Sequence, residues 1–520
     1  MISRRTFTGS LMATTAVVST GLGVKTANAL QVGDFDITKL EGISNKLPLP
    51  PIAEPSGKEG DVTVFDFDCQ YGETEFLPGL KSVTMGMNAP YLAPILVLKK
   101  GEKYKFNFTN NTYEKIAVHW HGLDVPAIAD GGVHQMFSPG KTWSPEFQAI
   151  NNSGNYWFHA HAKGRTAEHA YMGLAGWLVI CDEDSKRLKD HLPSTLGVDD
   201  FPLVIQDKNF LADGTMKYNL DIPMMLLGQR GDVMIINGVV NPYVEATTTK
   251  IKLRILSGVN ARYFSFGFKD NRPFQLISTD GGLLEKPVEL TRLPMTPAER
   301  AEIIVELKPG ETLDLMSFPD KNHEYIRDLA AEATKLAGYK ILDDSEEIKI
   351  LEIRAAAELK ESPAVPAQLI EKLAMPDETE SVRTREFILG MDMMADAKPG
   401  DVRSARFANA LTINDKAMDE DRIDEYCEAG TTEIWEFTNA SSMPHNMHIH
   451  CAQFKVLDRN GNPPEPFEVG LKDTVNIDPG DVVRLVIKHT HYTDPDHPYM
   501  FHCHILEHED QGMMAQFVVV

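Results

Sequence analysis

Cysteine is scarce in this chain: of 520 residues only Cys69, Cys181, Cys427, Cys451 and Cys503 carry a thiol, and no two form a Cys-x-x-Cys pair. That excludes a disulfide framework and leaves four of them as buried thiols, or at most one bridge. Long apolar runs are also missing beyond the amino terminus, so the sequence offers no membrane anchor. Basic residues are outnumbered, 51 against 75 acidic, for a net charge of −24. The excess of negative charge argues against nucleic acid and anionic membrane surfaces as partners, and it would attract a cationic substrate such as a metal ion. Helical periodicity is sparse, with residues 324–336 the clearest candidate.

What the sequence has instead is strand. Val62-Thr63-Val64-Phe65, Tyr104-Lys105-Phe106-Asn107-Phe108, Ile251-Lys252-Leu253-Arg254-Ile255-Leu256 and Val482-Val483-Arg484-Leu485-Val486 are short runs between turn residues. They predict an all-β protein built of several sandwiches. The length suits three such modules. Pro139-Gly140, Pro309-Gly310 and Pro479-Gly480 recur at a constant spacing, as one module used three times would give. Boundaries are expected at residues 30–185, 200–356 and 384–520, with 357–383, rich in Pro, Glu, Lys and Ala, as a linker. Residues 1–29 read as a targeting segment: Ser3-Arg4-Arg5-Thr6-Phe7, an apolar run from Leu11 to Val18, then Ala27-Asn28-Ala29. This segment resembles a twin-arginine signal, which implies export of a folded chain by the twin-arginine machinery and removal of the segment.

Histidine carries the chemistry. Chance placement of 17 histidines gives roughly half of one His-x-His pair. Five occur: His119/His121, His159/His161, His448/His450, His489/His491 and His502/His504. On a strand, residues two apart project from the same face, so each pair can aim two imidazoles at one place. Four pairs stand in matching contexts, two in the first third and two in the last. Between His169 and His445 there are only His191 and His323. The middle module therefore cannot build a histidine-rich site, and the end modules must meet around one.

A second donor set overlaps the last pair. Cys503, His508 and Met513 stand at five-residue intervals, with His445 available from the preceding strand region. Two imidazoles, a thiolate and a weak axial methionine are the donors of a blue copper electron-transfer site. Alternation along the strand points Cys503 to one face and His502 and His504 to the other. Neighbouring residues would then join two metal sites by a short covalent route.

At these motifs the chain resembles the multicopper oxidases over essentially all of its length, which implies three cupredoxin-like Greek-key β-sandwich domains. The resemblance implies four copper ions. His119 and His448 would hold the type 2 ion; His121, His159, His161, His450, His502 and His504 the type 3 pair; and His445, Cys503, His508 and Met513 the type 1 ion. Dioxygen would be reduced to water, with Asp130 and Glu509 at the positions of the family's proton-delivering carboxylates. Within the family the chain is most similar to bacterial periplasmic cuprous oxidases, which use a substrate Cu(I) site of methionines and aspartates. Met391, Asp396 and Met443 match three of its positions, whereas Ser441 replaces the fourth, an aspartate. The family's Met- and His-rich insertion is missing. Losing that aspartate is expected to weaken Cu(I) capture, and losing the insertion to uncover the type 1 edge to small phenolic or amine reductants, as in a laccase. A monomer in the periplasm is expected.

Overall fold

The computed structural model describes residues 32–520 except 219–220, 320–324, 332–333, 335–341, 343 and 392–409. Strands dominate, and they form six sheets that pair into three sandwiches. In the first sandwich, Leu96–Lys99, Ala175–Cys181, Gly154–Ala160 and Val118–His121 lie side by side. They face a sheet built around Val62–Leu77 and Lys103–Asn110. Alternating apolar residues such as Phe65, Phe67, Phe106, Phe108, Trp120 and Phe158 fill the space between, as period-two strands with one buried face dictate. The middle sandwich pairs the sheet of Asp200–Phe210, Lys250–Ser257 and Arg300–Glu306 with that of Pro242–Thr248, Ile348–Lys360 and Thr312–Ser317. The third pairs Ser381–Met391, Thr432–Asn439 and Val482–Lys488 with Met514–Val519, Asp494–Cys503, His445–Ile449 and Thr474–Ile477.

Two details differ from the sequence expectation. Residues before the first sandwich join the middle one: Asn45–Lys46 pairs in parallel with Pro242–Thr248, and Phe35 and Leu40 pack with Phe210. The stretch read as a linker crosses the face of the middle core, where Leu369, Ile370 and Leu373 are buried. Of the helix expected at residues 324–336, residues 325–331 and 334 are helical and the rest lie outside the described residues.

The recurring Pro-Gly turn has a structural meaning in the end modules. Gly140 donates its N–H to the Asn110 carbonyl and Gly480 to the Asn439 carbonyl, at 2.7 and 2.9 Å. Each asparagine closes the corner after its strand through its side chain: Asn110 onto the Glu114 and Phe137 carbonyls, Asn439 onto those of Met443 and Ile477. Gly310 instead donates to Ala356, so the middle turn is not equivalent. The first and third modules share a corner that the second lacks, and they are also the two that carry the clustered histidine pairs. All five cysteines, Cys69, Cys181, Cys427, Cys451 and Cys503, are unbridged. Among the described residues no helix is long and apolar enough to cross a membrane.

Candidate metal centre

Strand register places the histidines. His119 lies opposite His159 across the pair Val118–His121/Gly154–Ala160, and His448 lies opposite His502 across His445–Ile449/Asp494–Cys503. The two strand pairs meet face to face between the end modules. His119 stacks on His450 and His121 on His448, each at 3.7 Å between ring centroids. All eight imidazoles are fully buried. The fifth pair stays out: His489 Nε2 lies 3.2 Å from a Glu433 carboxylate oxygen, and the His491 ring packs tilted against Tyr492.

Two aspartates arrange these rings in a related way. The Asp130 carbonyl accepts from His119 Nδ1 at 3.0 Å while its carboxylate meets His450 Nδ1 at 2.8 Å. The Asp473 carbonyl accepts from His448 Nδ1 at 2.8 Å while its carboxylate meets His121 Nε2 at 3.0 Å. Each acid thus holds one ring from its own module and one from the other. Sequence reasoning found Asp130 and missed Asp473, which has no spacing to betray it. Asp130 reaches the strand because Gly131 follows it: a Cβ there would lie 1.8 Å from the Val118 carbonyl oxygen, at a backbone φ of +84°.

The remaining ring nitrogens point inward. His119 Nε2, His448 Nε2 and both nitrogens of His504 are buried without hydrogen-bond partners. His502 Nε2 lies 3.2 Å from His161 Nε2 and 3.1 Å from His450 Nε2; His121 Nδ1 lies 3.3 Å from His159 Nε2. Buried polar atoms seldom go unpaired, and lone pairs so gathered fit metal ions. Burial holds His502 down to about 3 and keeps His121, His159, His161, His448, His450 and His504 well below the usual imidazole range; neighbouring rings add to this. These seven rings are therefore held toward the neutral form, the one that ligates. Glu509 sits beside the cluster, 3.6 Å from His161 Nδ1 and 3.3 Å from His502 Nδ1. Burial, with Asp510 adding to it, pushes its carboxyl well above the usual range.

The second donor set lies on the other face of the same strand. Cys503 Sγ is 3.6 Å from His445 Nδ1 and 3.5 Å from His508 Nδ1, and the two nitrogens are 3.2 Å apart. A point equidistant from the three lies about 2 Å from each, the length of a metal–imidazole bond. Met513 is buried in the same core, and its carbonyl accepts the Cys503 N–H at 3.0 Å. The donor types and their spacing fit copper. Burial pushes the Cys503 thiol up to about 12 and His508 down to about 4, so loading copper here must expel the thiol proton.

The Ser441 hydroxyl lies 2.8 Å from His445 Nε2 and bonds Asn439 Oδ1 at 2.8 Å. Thr112 makes the same corner bond in the first module. Ser441→Ala is therefore expected to cost about 1 kcal/mol of stability and to free His445 to turn. The check is the visible absorption of the copper-loaded protein, expected to shift and broaden. At the type 1 edge, among the described residues, a neighbour from another module stands over His508. The middle-module helix Ile222–Leu227, capped by Asp221, places the Leu226 carbonyl 2.7 Å from His508 Nε2, and His508 is fully buried. Met443 is buried in the Ser441 turn, Met391 ends its strand against the third core, and Asp396 lies outside the described residues.

Residues 68–185 and 393–520 match two family models, each described as multicopper oxidase. The chain is 34% identical to the multicopper oxidase mco of Staphylococcus haemolyticus over 91% of this chain and 92% of that protein. It is equally, 34%, identical to the cell division protein FtsP of Xenorhabdus nematophila, over the same shares of 91% and 92%. Among solved structures it resembles the laccase-like multicopper oxidase CueO of an Ochrobactrum species, with 35% identity, a TM-score of 0.79, and coverage of 91% of this chain and 100% of that one.

Proposed function

The chain belongs to the multicopper oxidases, and we propose that it is a working one, taking electrons singly at His445, Cys503, His508 and Met513 and reducing dioxygen to water among the other eight histidines. The observation that carries this reading is the single strand on which Cys503 completes one donor set while His502, next to it, stands in the other. Copper, when bound, supplies the one-electron couple at the first set and the dioxygen chemistry at the second. We assign His119 and His448 to the type 2 ion and His121, His159, His161, His450, His502 and His504 to the type 3 pair. The backbone from Cys503 to either neighbour gives electrons a covalent path. Water formation consumes four protons with four electrons. Asp130, whose Oδ1 has no hydrogen-bond partner, and Glu509, whose carboxyl burial pushes above the usual range, stand where protons can be delivered.

For the reductant we favour Cu(I). Thioethers suit the soft cuprous ion, Met391 and Met443 flank the type 1 module, and the acidic surface attracts cations. Burial of His508 behind Leu226 also favours a small donor over direct contact with a bulky phenol. The likeness to a protein called laccase-like keeps phenols as the second reading. We place the enzyme in the periplasm on the strength of its amino-terminal segment, which lies outside the described residues. A relative named for cell division is 34% identical, but all twelve assigned ligand residues are present in this chain. Oxygen uptake by the copper-loaded protein with stabilised Cu(I) and with dimethoxyphenol, repeated in Met391→Leu/Met443→Leu, tests the choice. The variant is expected to lose about tenfold or more in Cu(I) turnover, as mutation around a metal site does, while an outer-sphere donor is oxidised as before. Phenol turnover without added copper, unchanged in the variant, would make the enzyme a laccase and the methionines packing.

A further inference from the structure

Asp130 and Asp473 hold their histidines alike but are themselves held differently. Asp130 Oδ1 has no hydrogen-bond partner. Asp473 is saturated: Oδ1 accepts from Arg300 Nη1 at 2.7 Å, from Thr474 Oγ1 at 3.0 Å and faces His121 Nε2, and Oδ2 accepts from Arg300 Nη2 at 2.6 Å. Arg300 is fully buried and spends its whole fork. Its Nε donates to the Asn155 carbonyl of the first module, and its remaining donors reach the Ala298 and Asp280 carbonyls of the second, each at 3.1 Å. Five N–H groups thus meet five acceptors drawn from all three modules. The residue after His121 makes room for this: a Cβ on Gly122 would stand 2.4 Å from Asp473 Oδ2 and 2.8 Å from Arg300 Nη2.

We propose that Arg300, from the module without ligand histidines, is a positioning residue for the copper cluster: it pins Asp473, which fixes His121 with Nδ1 aimed at the metal. The proposal rests on the reading of the cluster given above. A carboxylate held by two parallel N–H···O bonds cannot rotate, so its bond to His121 Nε2 decides which ring nitrogen is left for copper. The fully bonded Asp473 acts as a strut, whereas Asp130, with an oxygen to spare, keeps the freedom a proton carrier needs. The middle module is thereby required by the site as well as by the fold.

The test is Arg300→Lys, which keeps the charge and loses the fork, with Arg254→Lys as its control. Arg254 is another inter-module arginine, bonding the Asn155 side chain, Asp200 and Glu302 without touching Asp473. Copper content, the near-ultraviolet absorption of the coupled pair and the electron paramagnetic resonance of the type 2 ion report the cluster; the visible band reports the Cys503 site alone. Arg300→Lys is expected to weaken cluster copper by about 10–100-fold at full visible absorbance, and Arg254→Lys to change neither. Gly122→Ala is expected to follow Arg300→Lys. Should Arg300→Lys fail to fold, Asp473→Asn, which keeps the shape, carries the same expectation. Cluster copper unchanged in these variants, or lost equally in Arg254→Lys, overturns the proposal. Absence of cluster copper from the parent protein would instead overturn the functional reading beneath it.

Discussion

Cys503→Ser is expected to bring oxygen uptake down to background with every reductant, Cu(I) or phenol, while the protein still folds and keeps copper at its eight clustered histidines. Cys503 points into the core of the third sandwich opposite Met447, and serine occupies nearly the same volume there. The cost of the buried hydroxyl is about 1–3 kcal/mol, because Asn446 Oδ1 and the rings of His445 and His508 stand around it. What disappears is the soft thiolate that makes the site a blue copper centre and the start of the covalent path to His502 and His504. The visible band should vanish and the near-ultraviolet band of the cluster remain. Uptake within tenfold of the parent would mean that electrons reach the cluster without passing through this strand.

Glu509→Gln is expected to slow dioxygen reduction by about 100-fold or more, the usual worth of a placed general acid, with the Cys503 site still reduced at its normal rate. Electrons would then accumulate upstream, and the visible band would stay bleached during turnover. Glutamine preserves the shape beside His161 and His502 but has no proton to give. Burial and Asp510 raise the Glu509 pKa, so its acid form persists to higher pH than that of an ordinary carboxyl and is lost as pH rises through the raised value. Parent activity should fall along that limb as pH rises, and the variant should lack it. A variant with parental turnover and the same limb would relieve Glu509 of the role and leave Asp130 as the proton donor.

The twelve ligands assigned here were legible in the sequence because metal geometry leaves a repeating trace: two histidines on one strand face need an intervening residue, and Cys503 between His502 and His504 needs none. The middle module's lack of His-x-His pairs foretold that the end modules meet. The supports of the site were not legible. Asp473 and Arg300 are single residues from separate modules, brought together only by packing, with no spacing to mark them. Ser441, compared with an aspartate of a substrate site, turned out to brace His445, a role visible only once the Asn439 corner was seen beside its counterpart at Asn110. The type 1 edge was expected to be open because an insertion was missing near its own module; the contact of His508 with the Leu226 carbonyl of the helix Ile222–Leu227, from a different module, had no trace in the sequence.

The central claim is that two donor sets on one strand work as a single oxidase. Its most direct test is to load the purified protein with copper and titrate it, in an oxygen electrode, with limiting reduced copper or an outer-sphere donor while following visible and near-ultraviolet absorption. The account predicts four coppers bound, four electrons consumed per dioxygen, no hydrogen peroxide released, and both bands restored together when the donor runs out. Release of peroxide, or a visible band that never returns in the presence of dioxygen, would contradict it, because the Cys503 site would then be a copper centre that does not feed the histidine cluster.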